Sequence, residues 1–245
     1  MFLNIFYHLL MDHKNISFLI LLVIYIFTIK FSQNKIEKFT DVERKEIKEK
    51  ITFGLKIIDK IFNKYNIYYT AAYGTLLGAV RHWDMIPWDD DADLNIWRKD
   101  YQKIINLKNE LKSHGLFLEA DDKLIKIYFD NKNKFPFIDL FINESKSSKL
   151  IRCYEPFEEK CVELDRINDW WWKWIDYPSE WIEKRKRFKF GSIEIWGPEK
   201  PEKVLKFWYG NDCLTKCETP QLDHITEEYI KVNEINCGKL LPAQL

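Results

Sequence analysis

Net charge is the first thing this chain lacks. Its 38 Lys and Arg are balanced by 38 Asp and Glu over 245 residues, so no global basic field points to nucleic acid as a partner. A hydrophobic run of full membrane length is also missing. The apolar stretch from Ile16 to Ile29 would span roughly 21 Å as a helix, against a hydrocarbon core of ~30 Å. Lys14 and Lys30 bracket it, and Phe31 with snorkelling lysines would lengthen it. No small-residue cleavage site follows, because Lys30-Phe31-Ser32-Gln33 is a poor one, so the stretch reads as an uncleaved signal anchor. Cys213-x₃-Cys217 has no histidine beside it, which makes it a weak zinc signal. The cysteine count, five, is odd. Cys153 with Cys161, and Cys213 with Cys217, would pair in an oxidising lumen and leave Cys237 over; plain buried thiols fit equally well.

What is present organises into an anchor over 1–31, a polar stem over 32–40 and one domain over 41–245, long enough for a sizeable core. Thr40-Asp41-Val42-Glu43 reads as a capping box, and Ile47, Ile51, Leu55, Ile58 and Phe62 recur at helical spacing, predicting a helix over 41–65. Ile67 to Ala72 reads as a strand, Asp100 to His114 as a helix closed by Gly115, and Leu116 to Glu119, Leu124 to Phe129 and Phe135 to Ile142 as strands. Near the end, Phe190 to Pro198 reads as a strand with a Gly-Pro turn, and Pro201 to Gly210 as a helix with proline at its start and glycine past its end.

The chemistry concentrates in Tyr73-Gly74-Thr75-Leu76-Leu77-Gly78-Ala79-Val80-Arg81-His82 and then Ile86-Pro87-Trp88-Asp89-Asp90-Asp91-Ala92-Asp93-Leu94. Read as an extended acidic strand, Asp89, Asp91 and Asp93 share a face and Asp90 points away. Carboxylates so crowded need a cation or protons. Their oxygens suit Mg²⁺ or Mn²⁺ bridging to a substrate's phosphates. A calcium loop does not fit, since its sixth position would be Leu94 and its twelfth Asp100. Gly74 and Thr75 would open a helix whose free N–H groups favour an anion. Downstream, Asp139 sits inside Phe-Ile-Asp-Leu-Phe, where an unpaired charge would cost several kcal/mol. Either a lysine neutralises it, or it is a third metal-site carboxylate.

These segments resemble the signature of the LicD and fukutin-related family: the glycine turn, Arg-His and the acidic triplet fall in order, and Phe190 to Gly210 is similar to the family's C-terminal block. The resemblance covers roughly residues 65 to 215, with gaps. It implies an α/β (α+β), nucleotidyltransferase-like fold, a small mixed sheet with flanking helices, here preceded by the anchor helix. It also implies transfer of a phospho-alcohol, phosphocholine or pentitol phosphate, from a CDP-linked donor to a hydroxyl of a glycan or glycoconjugate. Asp91, Asp93 and Asp139 would then be catalytic and hold the metal. Gly74, Thr75, Arg81 and His82 would bind phosphate or nucleotide, and Asp89 would orient the site from behind. Two other readings stay open: a nucleotidyltransferase moving NMP to a protein or small molecule, and a non-enzymatic, membrane-anchored glycan-binding protein.

Location is argued both ways. Lys30, Lys35, Lys38, Arg44 and Lys45 after the anchor favour a cytosolic domain by the positive-inside rule. The resemblance implies a lumenal domain in the endoplasmic reticulum or Golgi, and the sequon Asn143-Glu144-Ser145 would be used only in a lumen. The cluster Trp170-Trp171-Trp172-Lys173-Trp174 fits an aromatic lid, a stacking platform for cytosine or a cage for a quaternary ammonium.

Overall fold

The structure is a computed structural model that describes residues 39–121, 123–154, 161–163, 177–216, 221–222, 229–230 and 243–244. The run 16–29 and the tryptophan cluster 170–174 lie outside these residues. Among the described residues no helix is long and apolar enough to cross a membrane. The chain divides into two compact units, Met1–Val42 and Glu43–Leu245, and the architecture below is that of the second.

Helix α1, Asp41–Lys64, buries Ile47, Ile51, Gly54, Leu55, Ile58, Ile61 and Phe62. This is the stripe its spacing predicts, and each buried aliphatic side chain contributes ~1.5–3 kcal/mol. The chain then enters β1, Tyr69–Ala71, helix α2, Tyr73–His82, and β2, Ala92–Trp97. A 3₁₀ turn at Arg98–Asp100 leads to α3, Tyr101–Asn106, and α4, Lys108–Ser113. The single helix expected over 100–114 is thus broken at Leu107, where the backbone tightens to i→i+3 bonding with Ile104.

Strands β3, Phe117–Ala120, β4, Leu124–Tyr128, β5, Phe137–Lys146, β6, Lys149–Tyr154, and β7, Val162–Glu163, complete a seven-stranded sheet of order β1-β2-β5-β4-β3, with β6 on β5 and β7 on β6. The β2–β5 pair is parallel and every other pair is antiparallel, so the sheet is mixed. The first half of β5 pairs with β4 and its second half with β6 on the same edge. After the short helix α5, Glu180–Glu183, a separate hairpin follows: β8, Arg185–Phe190, and β9, Ile193–Pro198. Gly191, at φ +60°, makes its turn, whereas Gly197-Pro198 close β9 instead of forming the turn expected there. Helix α6, Pro201–Tyr209, begins on proline and is capped by Gly210 as its sequence predicts. Two further short strands, β10, Gln221–Leu222, and β11, Tyr229–Ile230, pair with each other.

Side chains alternate across the sheet. One face carries Tyr69, Ala71, Ala92, Leu94, Ile96, Ile125, Ile127, Ile138, Leu140 and Ile142, all buried. Helix α1 covers it: Phe62 packs edge-on against Tyr69, and Gly54 approaches so closely that an added Cβ would lie 2.6 Å from Phe129 and 2.8 Å from Ile138. The other face carries Thr70, Asp93, Asn95, Lys126, Asp139, Phe141, Asn143 and Arg152. Lys184-Arg185-Lys186-Arg187 is a basic run entering β8, and it is partly neutralised, since Arg187 grips Asp59 of α1 with two hydrogen bonds of 2.7 and 3.1 Å.

Candidate active site

Parallel pairing of β2 and β5 sets Asp93 directly beside Asp139. Asp91 enters from the loop before β2. The three carboxylates can each offer an oxygen within 4.8 Å of the others. This brings Asp139, 46 positions downstream of Asp93, into shared-ligand range, which suits one divalent cation held by oxygen ligands. Lys126, opposite Asp139 on β4, donates to both of its oxygens at 2.7 and 2.9 Å. The lysine alternative for Asp139 is therefore realised, and its carboxylate also lies within the acidic cluster.

Asp93 is squeezed electrostatically. Burial first, then the charges of Asp91, Asp139 and Asp89, push its carboxyl well above the usual carboxylate range, against a smaller opposing pull from Lys126. A cation at this point would remove that repulsion, so the residues present fit the Mg²⁺ or Mn²⁺ expected from the sequence.

The acidic strand begins later than its alternation suggests. Residues 89–91 are loop and β2 starts at Ala92. Alternation therefore does not turn Asp90 away: Asp89, Asp90 and Asp91 form a second group with oxygens within 4.8 Å, and Asp90 is wholly buried. Pro87 and Trp88 hold this stretch in a turn, the signal that sequence reasoning passed over.

Helix α2 meets the carboxylates at its N-terminus. Ala72, its N-cap, supplies no side-chain cap. The hydroxyl of Thr75 accepts the N–H of Asp93 at 2.8 Å, tying the first turn of α2 to β2. A Cβ on Gly74 would lie 2.6 Å from Oδ2 of Asp89, so glycine here lets a carboxylate approach a positive helix end. Tyr73 has φ +40°, an unusual backbone for a tyrosine, and its ring lies on Phe141 and Trp208 at 5.2 and 4.5 Å.

Arg81 is completely buried. Its Nη1 donates to the carbonyls of Cys213 and Lys216 at 2.9 and 2.6 Å, and its Nε to Nε2 of His82 at 3.1 Å. Long helical side chains lean toward the N-terminus, which carries the guanidinium back into the electrostatic reach of Asp89 and Tyr209. His82 lies at the far end of α2, roughly 12 Å along the axis from Gly74, where its ring meets Trp88 edge-on at 6.1 Å and lines an open groove of about 1000 Å³ with Lys48, Trp83 and Lys189. Burial and the Arg81 charge hold its pKa down to about 4, against the pull of Asp84.

Three aromatic hydroxyls that sequence reasoning missed complete the surroundings. Tyr209, at the end of α6, feels the charges of Asp93, Asp89 and Asp91, and burial pushes it and Tyr73 and Tyr177 up. The only advance signal was Tyr-Gly at the end of a helix. The sequon is corrected outright. Asn143 is fully buried, and its amide donates to Asn95 Oδ1 at 3.0 Å and to the carbonyl of Phe141 at 2.9 Å, so it offers no acceptor for glycosylation in the folded chain. Cys153 and Cys161 form a disulfide, whereas Cys213 is a buried free thiol.

Residues 66–200, more than half of the chain, match the family described as LicD/FKTN/FKRP, nucleotidyltransferase domain. The chain belongs to the LicD family. The lipopolysaccharide cholinephosphotransferase LicD of Haemophilus influenzae is 35% identical over 82 residues, 32% of this chain and 31% of its own. An uncharacterised protein of Rickettsia typhi is 29% identical over 171 residues, 65% of this chain and 47% of its own. This chain thus spans about half the length of that relative. Among solved structures, the STING-associated CdnE c-di-GMP synthase from Capnocytophaga granulosa shares 18% identity at a TM-score of 0.32, over 57% of this chain and 52% of that one, a likeness too slight to carry an argument. LicD membership suggests a phosphotransferase, and the mixed sheet with flanking helices is the architecture its sequence predicts.

Proposed function

We propose that this LicD-family site transfers a phospho-alcohol, phosphocholine or pentitol phosphate, from a CDP-linked donor to a hydroxyl of a glycan or glycoconjugate. The observation that carries the proposal is the convergence of Asp91, Asp93 and Asp139 inside the stretch matched to the family. The name of the Haemophilus relative supports phosphocholine as the first donor to try.

In this reading Asp91, Asp93 and Asp139 would hold a divalent ion, which would supply charge neutralisation for a phosphorylated donor. Lys126 fixes Asp139. Gly74 and Thr75 keep the first turn of α2 against the acidic loop, and its N–H groups are the donors for phosphate. Asp89 orients that turn. Arg81 offsets the charge of Asp89, and its Nη2, buried and without a partner among the described residues, is the group left for the leaving nucleotide. His82 acts from a distance, through its bond with Arg81. The acceptor hydroxyl oxygen forms a bond to the phosphorus that bears the alcohol, the bond from that phosphorus to the CMP oxygen breaks, and the hydroxyl proton passes to a site carboxylate.

The disulfide supports an oxidising compartment as the place of work, in keeping with a lumenal domain. Incubating the full chain with Mn²⁺ and a panel of CDP-alcohols tests the function. Release of CMP with label from the alcohol on the acceptor supports it. Release of the phospho-alcohol with CMP left on the acceptor would establish nucleotidyl transfer instead.

A further inference from the structure

Burying a guanidinium without an anion is expensive, because buried charges are ordinarily paired. Arg152 on β6 is 5% exposed. Its Nη2 donates to the hydroxyl of Tyr73 at 2.7 Å, and its guanidinium lies 4.2 Å from the centre of the Phe141 ring. Both partners are neutral. Nη1 is buried and has no partner, and no carboxylate pairs with this side chain among the described residues. Among the other described arginines, Arg98 and Arg187 each grip a carboxylate, whereas Arg81 donates to the backbone carbonyls of Cys213 and Lys216 and Arg185 to that of Tyr69.

Placement ties this open charge to the active site. Arg152 is the register partner of Asn143, two positions beyond Phe141 and four beyond Asp139 on the same face of β5. Tyr73, which it holds, begins the helix whose first turn meets Asp89. The charges of Arg152 and Asp93 both act on the Tyr73 hydroxyl, in opposite directions. The same face carries further buried polar atoms without partners, Thr70 Oγ1, Asn95 Nδ2 and Asn143 Oδ1. Native interiors seldom leave such atoms unpaired, and one of these residues, Asn143, is the direct register neighbour of Arg152. The adjacent Cys153–Cys161 disulfide pins β6 to β7 right next to Arg152.

We infer that Arg152 is an anion-binding residue of this site and takes a phosphate group of a diphosphate substrate through Nη1, with Tyr73 and Phe141 holding the guanidinium plane. A planar donor fork suits phosphate oxygens and discriminates them from neutral groups. The inference rests on the donor reading above for the identity of the diphosphate, not for the anion site itself.

Inorganic pyrophosphate is the probe, titrated calorimetrically into the full chain with EDTA present so that no metal contributes. The wild type binds it. Arg152→Gln weakens binding roughly tenfold or more, Arg152→Lys restores part of it, and Asp93→Asn binds at least as well as the wild type because a negative charge is gone. Equal binding by Arg152→Gln and wild type would overturn the inference. Should Arg152→Gln fail to fold, a crystal structure of the wild-type chain with pyrophosphate decides: an anion oxygen at hydrogen-bond distance from Arg152 Nη1 supports the assignment, and an anion held only by other groups removes it. If no CDP-alcohol releases CMP yet pyrophosphate binding depends on Arg152, the donor reading falls and the anion site stands. Active CMP release with unaltered binding by Arg152→Gln gives the reverse.

Discussion

The two faces of the central sheet are made by the same strands and differ in every second residue. On one, Leu94, Ile96, Ile138, Leu140 and Ile142 are packed under α1 and no polar side chain intervenes. On the other, the alternate positions Asp93, Asn95, Asp139 and Asn143 are polar, and two of their atoms, Asn95 Nδ2 and Asn143 Oδ1, find no partner among the described residues. The first face provides stability and the second gives some of it up. The parallel register of β2 and β5 couples them: the apolar pairs Leu94 with Leu140 and Ala92 with Ile138 hold Asp93 against Asp139 although their charges repel.

Separating the two contributions by mutation is the way to test this division. The largest expected effect is on the polar face. Asp93→Asn should lower CMP release by about a thousandfold or more in the transferase assay. It should also raise the melting temperature of the metal-free chain at neutral pH. The sign follows from linkage: the folded-state pKa of Asp93 lies above its unfolded value, so the folded chain binds more protons between the two, and stability falls as pH rises through that window. Loss of activity with lower stability would break the comparison. Next comes the apolar face, where Ile138→Ala should cost ~2–5 kcal/mol in denaturant unfolding while the fraction still folded keeps its turnover. A smaller effect is expected for Gly54→Ala, ~1–3 kcal/mol of overpacking against Phe129 and Ile138, with Mn²⁺ affinity unchanged. The smallest concerns His82. Its folded-state pKa of about 4 lies below the unfolded value, so its neutral form should cost stability of order 1 kcal/mol, after allowance for solvent screening, as pH falls from about 6.5 to about 4. His82→Gln should remove that part of the acid-side slope in pH-dependent melting.

Reading the sequence reached the elements well where one local rule sufficed. The stripe from Ile47 to Phe62 defined α1, and Pro201 with Gly210 defined α6. It went astray where tertiary context overrode the local rule. Alternation was extended back to Asp89, although Pro87 and Trp88 keep that stretch out of the strand. Gly197-Pro198 looked like a turn but finish an edge strand, a place where proline is tolerated. The sequon at Asn143 was legible as a pattern, yet its burial depends on the β2–β5 register, which no short pattern reports. Arg152 and Tyr177 carried no local signature, and Tyr73 and Tyr209 were visible only as neighbours of a glycine. They matter because one strand, two helices and the loop before α5 bring them together.

Mn²⁺ binding followed by electron paramagnetic resonance most directly tests the claim that the polar face holds a divalent ion through Asp91, Asp93 and Asp139. The account predicts a single tight site in the chain that is lost or severely weakened in Asp91→Asn, Asp93→Asn and Asp139→Asn alike. Undiminished Mn²⁺ affinity in Asp139→Asn would contradict it, because the ion would then lie outside the β2–β5 junction.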